Sequence, residues 1–176
     1  MLIKSIFAGF GGQGVLSMGL SLAEAAMLEG KNVTYLPSYG AEVRGGTANC
    51  TVAISDEEIA SPVASSPDFV VAMNYPSLIR FQNQIQSGGA FFVNSSLIDA
   101  EISRGDIDII KVPANGIAEE LGSPKSANMV MLGAFTRKSN LVSLSTLIEG
   151  LENTFKKKKK LIAINKEALT KGYNLI

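Results

Sequence analysis

A mixed α/β fold with a mainly parallel sheet flanked by helices is what this 176-residue chain predicts, and three observations carry it. An apolar run at residues 2–8 leads directly into a turn with four glycines in six residues, and a helical pattern follows. Three more short apolar runs, at 69–72, 90–93 and 109–112, have the length and β-branched or aromatic content of strands buried on both faces. Between and after them lie segments whose apolar residues recur at helical spacing.

In chain order, residues 2–8 form the first strand and 9–14 the turn. A helix follows over 15–29, with Leu16, Leu20, Ala23 and Met27 as its sheet-facing stripe and Gly30 as its stop. Residues 33–36 form a second strand ended by Pro37, so a right-handed crossover makes a parallel βαβ unit. After a loop at 38–46, Ala48, Cys50, Val52 and Ile54 alternate with Asn49, Thr51 and Ala53 as in a half-buried strand. Glu57 and Glu58 open the next turn, and the 69–72 strand gives way to a helix near Tyr75-Pro76, where proline suits the first turn. Helices are expected over 115–121, over 127–138 and from 144 to about 155. The tail continues as an amphipathic or docking helix, with Lys156 to Lys160 on a solvated face or against an acidic partner. No repeat or boundary interrupts 1–176, so one domain with a C-terminal helical tail from about 144 is expected.

Composition excludes several function classes. Sixteen basic residues balance sixteen acidic ones, so no global field recruits nucleic acid or an anionic membrane. One cysteine, Cys50, falls short of the four thiolates that usually hold an iron–sulfur cluster. With no histidine present, the side chain that most often serves as a general base or zinc ligand is missing, and Cys50 reads as a core thiol. No targeting or membrane-spanning pattern is seen, and a cytoplasmic location is expected.

Gly9-Phe10-Gly11-Gly12-Gln13-Gly14 has the spacing G-x-G-x-x-G between a strand and a helix, the Rossmann-like first turn. Such a turn allows close backbone approach and presents helix amides to an anion or a subunit. The second strand, Val33-Thr34-Tyr35-Leu36, ends without the acid that would bind a ribose diol, so tight NAD binding is not expected. No Gly-Lys-Ser/Thr follows, which excludes a P-loop. The stretch Ser38-Tyr39-Gly40-Ala41-Glu42-Val43-Arg44-Gly45-Gly46 lies at the carboxyl end of that strand, where α/β sheets expose their sites. Arg44 there is suited to a carboxylate or phosphate, or to pairing with Glu42 across an interface, the alternative being a plain surface pair. Asn74 is read as a helix cap near the site.

These motifs, in order, resemble the gamma subunit, or gamma-type domain, of the 2-oxoacid:ferredoxin oxidoreductases. The resemblance continues through Met73-Asn74-Tyr75-Pro76-Ser77-Leu78, Ala118-Glu119-Glu120-Leu121-Gly122 and Asn128-Met129-Val130-Met131-Leu132-Gly133-Ala134. It implies a non-catalytic subunit of a complex that converts a 2-oxoacid, CoA and oxidised ferredoxin to acyl-CoA, carbon dioxide and reduced ferredoxin. It places thiamine diphosphate, magnesium and the iron–sulfur clusters in partner subunits, alpha and beta with or without delta, and none in this chain. Arg44-Gly45-Gly46 with Met73-Asn74 and Pro76-Ser77 is closer to the 2-oxoglutarate type than to pyruvate members. Ala41 departs from the proline usual after Tyr-Gly in the family, which leaves the loop less preorganised. The alternatives are a stand-alone anion- or nucleotide-binding α/β module, and a pyruvate or branched-chain subtype of the same family.

Overall fold

The computed structural model describes residues 1–40, 46–154 and 159–176. Six strands form one sheet in the order β2-β3-β1-β4-β5-β6. They are β1 (Leu2–Phe10), β2 (Asn32–Tyr39), β3 (Thr47–Ser55), β4 (Phe69–Ala72), β5 (Ala90–Asn94) and β6 (Asp108–Val112). β1, β4, β5 and β6 pair in parallel, while β3 is antiparallel to both β1 and β2. Five strands therefore run one way and β3 alone runs the other.

That arrangement corrects the expected βαβ unit. β2 does run in the direction of β1, but β3 is inserted between them along nine paired positions, from Leu2–Ser55 to Phe10–Thr47. β3 is also more buried than its alternation suggests. It has strands on both sides, and α1 packs on it through Gly19; the segment after it lies over β1 and β4, where Lys4 Nζ donates to Val63 O at 2.5 Å and Ala64 joins the cluster of Ile6 and Val70. Pro37 does not end β2; it pairs with Cys50 inside the strand. An edge strand tolerates proline where its missing N–H would have faced outward.

Both faces of the sheet are covered. One carries α1 (Val15–Leu28) and α4 (Ala127–Ser139), and beyond them α3 (Ala114–Glu120), α5 (Leu144–Thr154) and α6 (Lys159–Leu175). The other is closed by α2 (Tyr75–Phe81) with Ile98 and Ile102 of the irregular segment before β6. Consecutive strand residues serve opposite cores: Phe91 joins the α2 side and Phe92 the α4 side. Burial on both faces explains why β4 and β5 read as unbroken apolar runs, whereas β6, expected to be buried in the same way, is an edge strand with only Val112 buried.

The stripe on α1 agrees with expectation in part: Ala23 is buried and Leu16 packs against the core, but Leu20 and Met27 stand outward, 44% and 58% exposed, and Val15, Met18, Leu22, Ala25 and Ala26 complete the buried face. The helix is apolar on nearly all sides, so periodicity alone does not select the inward stripe. Gly19 selects it: a Cβ there would run into Cys50 Sγ and lie 3.2 Å from Val52 Cγ2, so the helix approaches β3 on its glycine.

Candidate functional site

β1 ends at Phe10, and the chain turns through Gly11 and Gly12 (φ 97°) to Gly14 (φ 73°) before α1 begins. Gln13 N donates to Phe10 O at 3.1 Å, closing the turn, and Met18 N donates to Gly14 O at 3.0 Å, opening the helix. No side chain caps that first helical turn. Gly14 is required twice over: its φ is left-handed, and a Cβ would collide with Asn128, whose Nδ2 donates to Gly14 O at 3.3 Å.

The second motif comes to the same place. Gly11 N donates to Gly46 O at 2.9 Å, and Gly40 N to Thr47 O at 2.7 Å. Tyr39 and Gly46 thus flank the glycine turn, a juxtaposition that the two separate motifs did not reveal. Together with Phe10, Gly11, Gly12 and the first turn of α1 they line an open cleft of about 360 Å³. Tyr39 is 71% exposed and Phe10 37%. Glu42, Arg44 and Gly45 lie outside the described residues.

The glycine turn is tied on its inner side to the junction between β4 and α2. Gln13 Oε1 accepts from Phe10 N at 2.7 Å and from Asn74 Nδ2 at 3.1 Å, while Gln13 Nε2 donates to Met73 O at 3.2 Å. Asn74 caps α2 as expected, its Oδ1 accepting from Ser77 N at 2.9 Å. Its removal in Asn74→Ala is expected to cost about 1 kcal/mol in urea unfolding, with a smaller loss in Asn74→Ser, which keeps a cap acceptor.

Sequence reasoning missed two partners in this network. Asn94, fully buried at the end of β5, donates through Nδ2 to Met73 O at 3.3 Å and to Asn115 Oδ1 at 2.8 Å, and its own Oδ1 has no partner among the described residues. Asn128 reaches the loop from α4, 114 positions away. A signal existed for Asn94: like Asn74, it directly follows an apolar strand run.

The lone thiol takes no part in the cleft. Cys50 is buried under α1 with Sγ directed at Val15 O, 3.6 Å away, and burial pushes its pKa up to about 12. This donor set does not fit an iron–sulfur cluster, which needs several accessible thiolates. The described residues contain no group of three or more potential metal ligands. None of their helices is long and apolar enough to cross a membrane.

The geometry defines an α/β domain whose sheet carries, at its carboxyl edge, a glycine-lined cleft flanked by the exposed side chains of Phe10 and Tyr39. The sequence pattern of the pyruvate ferredoxin/flavodoxin oxidoreductase family matches residues 4–175, and the chain belongs to that family as a domain of the gamma type. It is 43% identical over 172 residues to the ketoisovalerate oxidoreductase subunit VorA of Methanothermobacter thermautotrophicus, covering 97% of this chain but 35% of that one. It thus spans about a third of that relative's length. The 2-oxoglutarate synthase subunit KorC of Methanothermobacter marburgensis is 40% identical over 154 residues, 84% of this chain and 83% of that one. The gamma subunit of a keto/oxoacid ferredoxin oxidoreductase from Geobacter sulfurreducens superposes with a TM-score of 0.84 at 26% identity, over 98% and 96% of the two chains.

Proposed function

We propose that this chain is the non-catalytic gamma subunit of a 2-oxoglutarate:ferredoxin oxidoreductase and that the glycine-loop cleft is the surface it presents to its partner subunits. The observation that carries the contact reading is the cleft itself. Two exposed aromatic side chains, Phe10 and Tyr39, flank exposed backbone at a helix start that no side chain caps. Aromatic anchors beside a helix start without a side-chain cap suit burial against a partner, whose carbonyl or carboxylate groups the first amides of the helix would meet. The glycine loop forms this surface together with Tyr39, Gly40 and Gly46, and an anionic substrate group at the same loop is the variant of the reading.

The chemistry belongs to the partners. Cleavage of the bond beside a ketone needs an electron sink, which thiamine diphosphate supplies when bound and which side chains do not. One-electron transfer to ferredoxin needs clusters, for which this chain has one buried thiol. The alpha and beta subunits, with or without delta, would hold both groups, with magnesium, and CoA and ferredoxin would be used by the assembled complex in the cytoplasm.

The choice of 2-oxoglutarate rests on the Arg44-Gly45-Gly46 motif and on a match to a KorC subunit that covers 84% of this chain and 83% of that one. A branched 2-oxoacid is the second reading, favoured by the higher identity to VorA. The test is viologen reduction with CoA and 2-oxoglutarate, 2-oxoisovalerate or pyruvate, on the chain alone, the partner subunits alone and the mixture. The expected result is no turnover by the chain alone and the greatest turnover in the mixture with 2-oxoglutarate. Turnover by the isolated chain, or full activity of stable partners without it, would overturn the assignment.

A further inference from the structure

The cleft's outer wall is a loop of low intrinsic order: Gly11 and Gly12 are exposed, and glycine loses more conformational freedom on folding than any other residue. Backbone bonds close the turn on itself and onto Gly46. The only side chain within the turn that reaches another element is that of Gln13, half-buried beneath the loop.

We propose that Gln13 is a positioning residue, which fixes the glycine loop against the β4–α2 junction and so sets the arrangement in which the cleft meets its partner. Three bonds converge on this one amide: Phe10 N at 2.7 Å and Asn74 Nδ2 at 3.1 Å on Oε1, and Met73 O at 3.2 Å on Nε2. They use both the acceptor and the donor, so neither an acid nor an apolar side chain of similar length replaces it. Gly9 belongs to the same device. A Cβ there would lie 2.7 Å from Gln13 Oε1 and 3.1 Å from Met73 Cβ, so the strand stays bare where the amide crosses it.

The tie extends past the loop. Met73 O, which Gln13 engages, also accepts from Asn94 Nδ2 at 3.3 Å, and Asn94 Nδ2 donates to Asn115 Oδ1 at 2.8 Å. A row of primary amides thus runs along the carboxyl edge of the sheet, from the end of β1 across β4 and β5 to α3. Gln13 is its terminal member and the one in the loop. A displacement of the loop therefore breaks bonds to groups that are themselves held, rather than bonds to water.

The inference rests on the reading of the cleft as a subunit contact, and two measurements separate the two ideas. Gln13→Met removes all three bonds, whereas Gln13→Glu keeps the acceptor toward Phe10 N and Asn74 and loses the donor toward Met73 O. In the free chain, hydrogen exchange is followed at the amides of Gly11 and of position 13, whose bonds go to backbone carbonyls and not to the Gln13 side chain. Exchange there is expected to quicken at least tenfold in Gln13→Met and by less in Gln13→Glu, with protection in β4 and β5 unchanged. In parallel, capture by immobilised partner subunits is expected to weaken at least tenfold in Gln13→Met and by an intermediate factor in Gln13→Glu.

Unchanged exchange at Gly11 and position 13 would overturn the proposal, as would normal capture of Gln13→Met. A general loss of folding, with the folded fraction captured normally, would also overturn it. If the wild-type chain is not captured at all, the contact reading falls; the exchange result then still decides whether Gln13 positions the loop.

Discussion

Gly172→Ala is expected to lower the melting temperature of the chain by roughly 6–12 °C, although it adds only one methyl group to a helix. α4 and α6 cross on glycine. A Cβ on Gly133 would meet Leu169 O, with Tyr173 N 2.8 Å away, and a Cβ on Gly172 would meet Val130 O, with Val130 C 2.7 Å away. The obstacles are backbone atoms, so no rotamer change makes room. The helices must part, and the cost falls at the upper end of the usual overpacking penalty, about 3 kcal/mol. Gly150→Ala is the control, since a Cβ there meets nothing within 4 Å. In the same chain it is expected to stabilise α5 by about 0.5–1 kcal/mol, because alanine favours helix where space allows. Thermal unfolding of the two variants beside the wild type checks both signs. A neutral Gly172→Ala would show that the crossing is looser than its glycines indicate.

How much of this was legible beforehand depended on whether the signal was local. β4 and β5 were marked by apolar runs, because burial on both faces selects such runs whatever the neighbouring strands are; β6 also showed as a run, although it is an edge strand with Ile109 and Lys111 exposed. The position of β3 was not legible. Alternation over residues 48–54 marks a strand but does not say that it will insert between β1 and β2, which depends on pairings between distant segments. The inward stripe of α1 was legible only in part, through Leu16 and Ala23, because the helix is apolar almost all round and the deciding fact, the fit of Gly19 over Cys50, is tertiary.

The site divided in the same way. The glycine turn and the stretch from Tyr39 were visible as motifs, and Gly11 N to Gly46 O brings them together. The amides that hold the turn come from 60 to 114 positions away, in Met73, Asn74 and Asn128, and no spacing rule in a single sequence connects them. Composition predicted a chain without conventional redox ligands, and the burial of Cys50 adds a physical reason that composition lacked.

Phe135→Ala is expected to be the most damaging single core change in the chain. The Phe135 ring on α4 sits 5.0 Å from the ring of Phe7 on β1, 5.5 Å from Phe69 on β4 and 5.4 Å from Phe92 on β5, measured between centroids. One side chain therefore joins a helix to three strands, in tilted and edge-on contacts of the kind aromatic quadrupoles favour. Truncation to alanine loses the buried ring and leaves a cavity among three aromatic rings and a sheet that cannot collapse freely. The expected cost is about 3–5 kcal/mol against a typical total of about 5–15 kcal/mol, with Phe135→Leu losing much less. The effect should reach the site as well. α4 also carries Asn128, which holds Gly14 O, so a displaced α4 withdraws one anchor of the glycine loop. Urea unfolding should show a lower midpoint at unchanged slope, and amide exchange at Met18, which donates to Gly14 O, should quicken in the folded state. A loss below about 1 kcal/mol would mean that the surrounding rings close the gap and that the ring is not the hub its contacts describe.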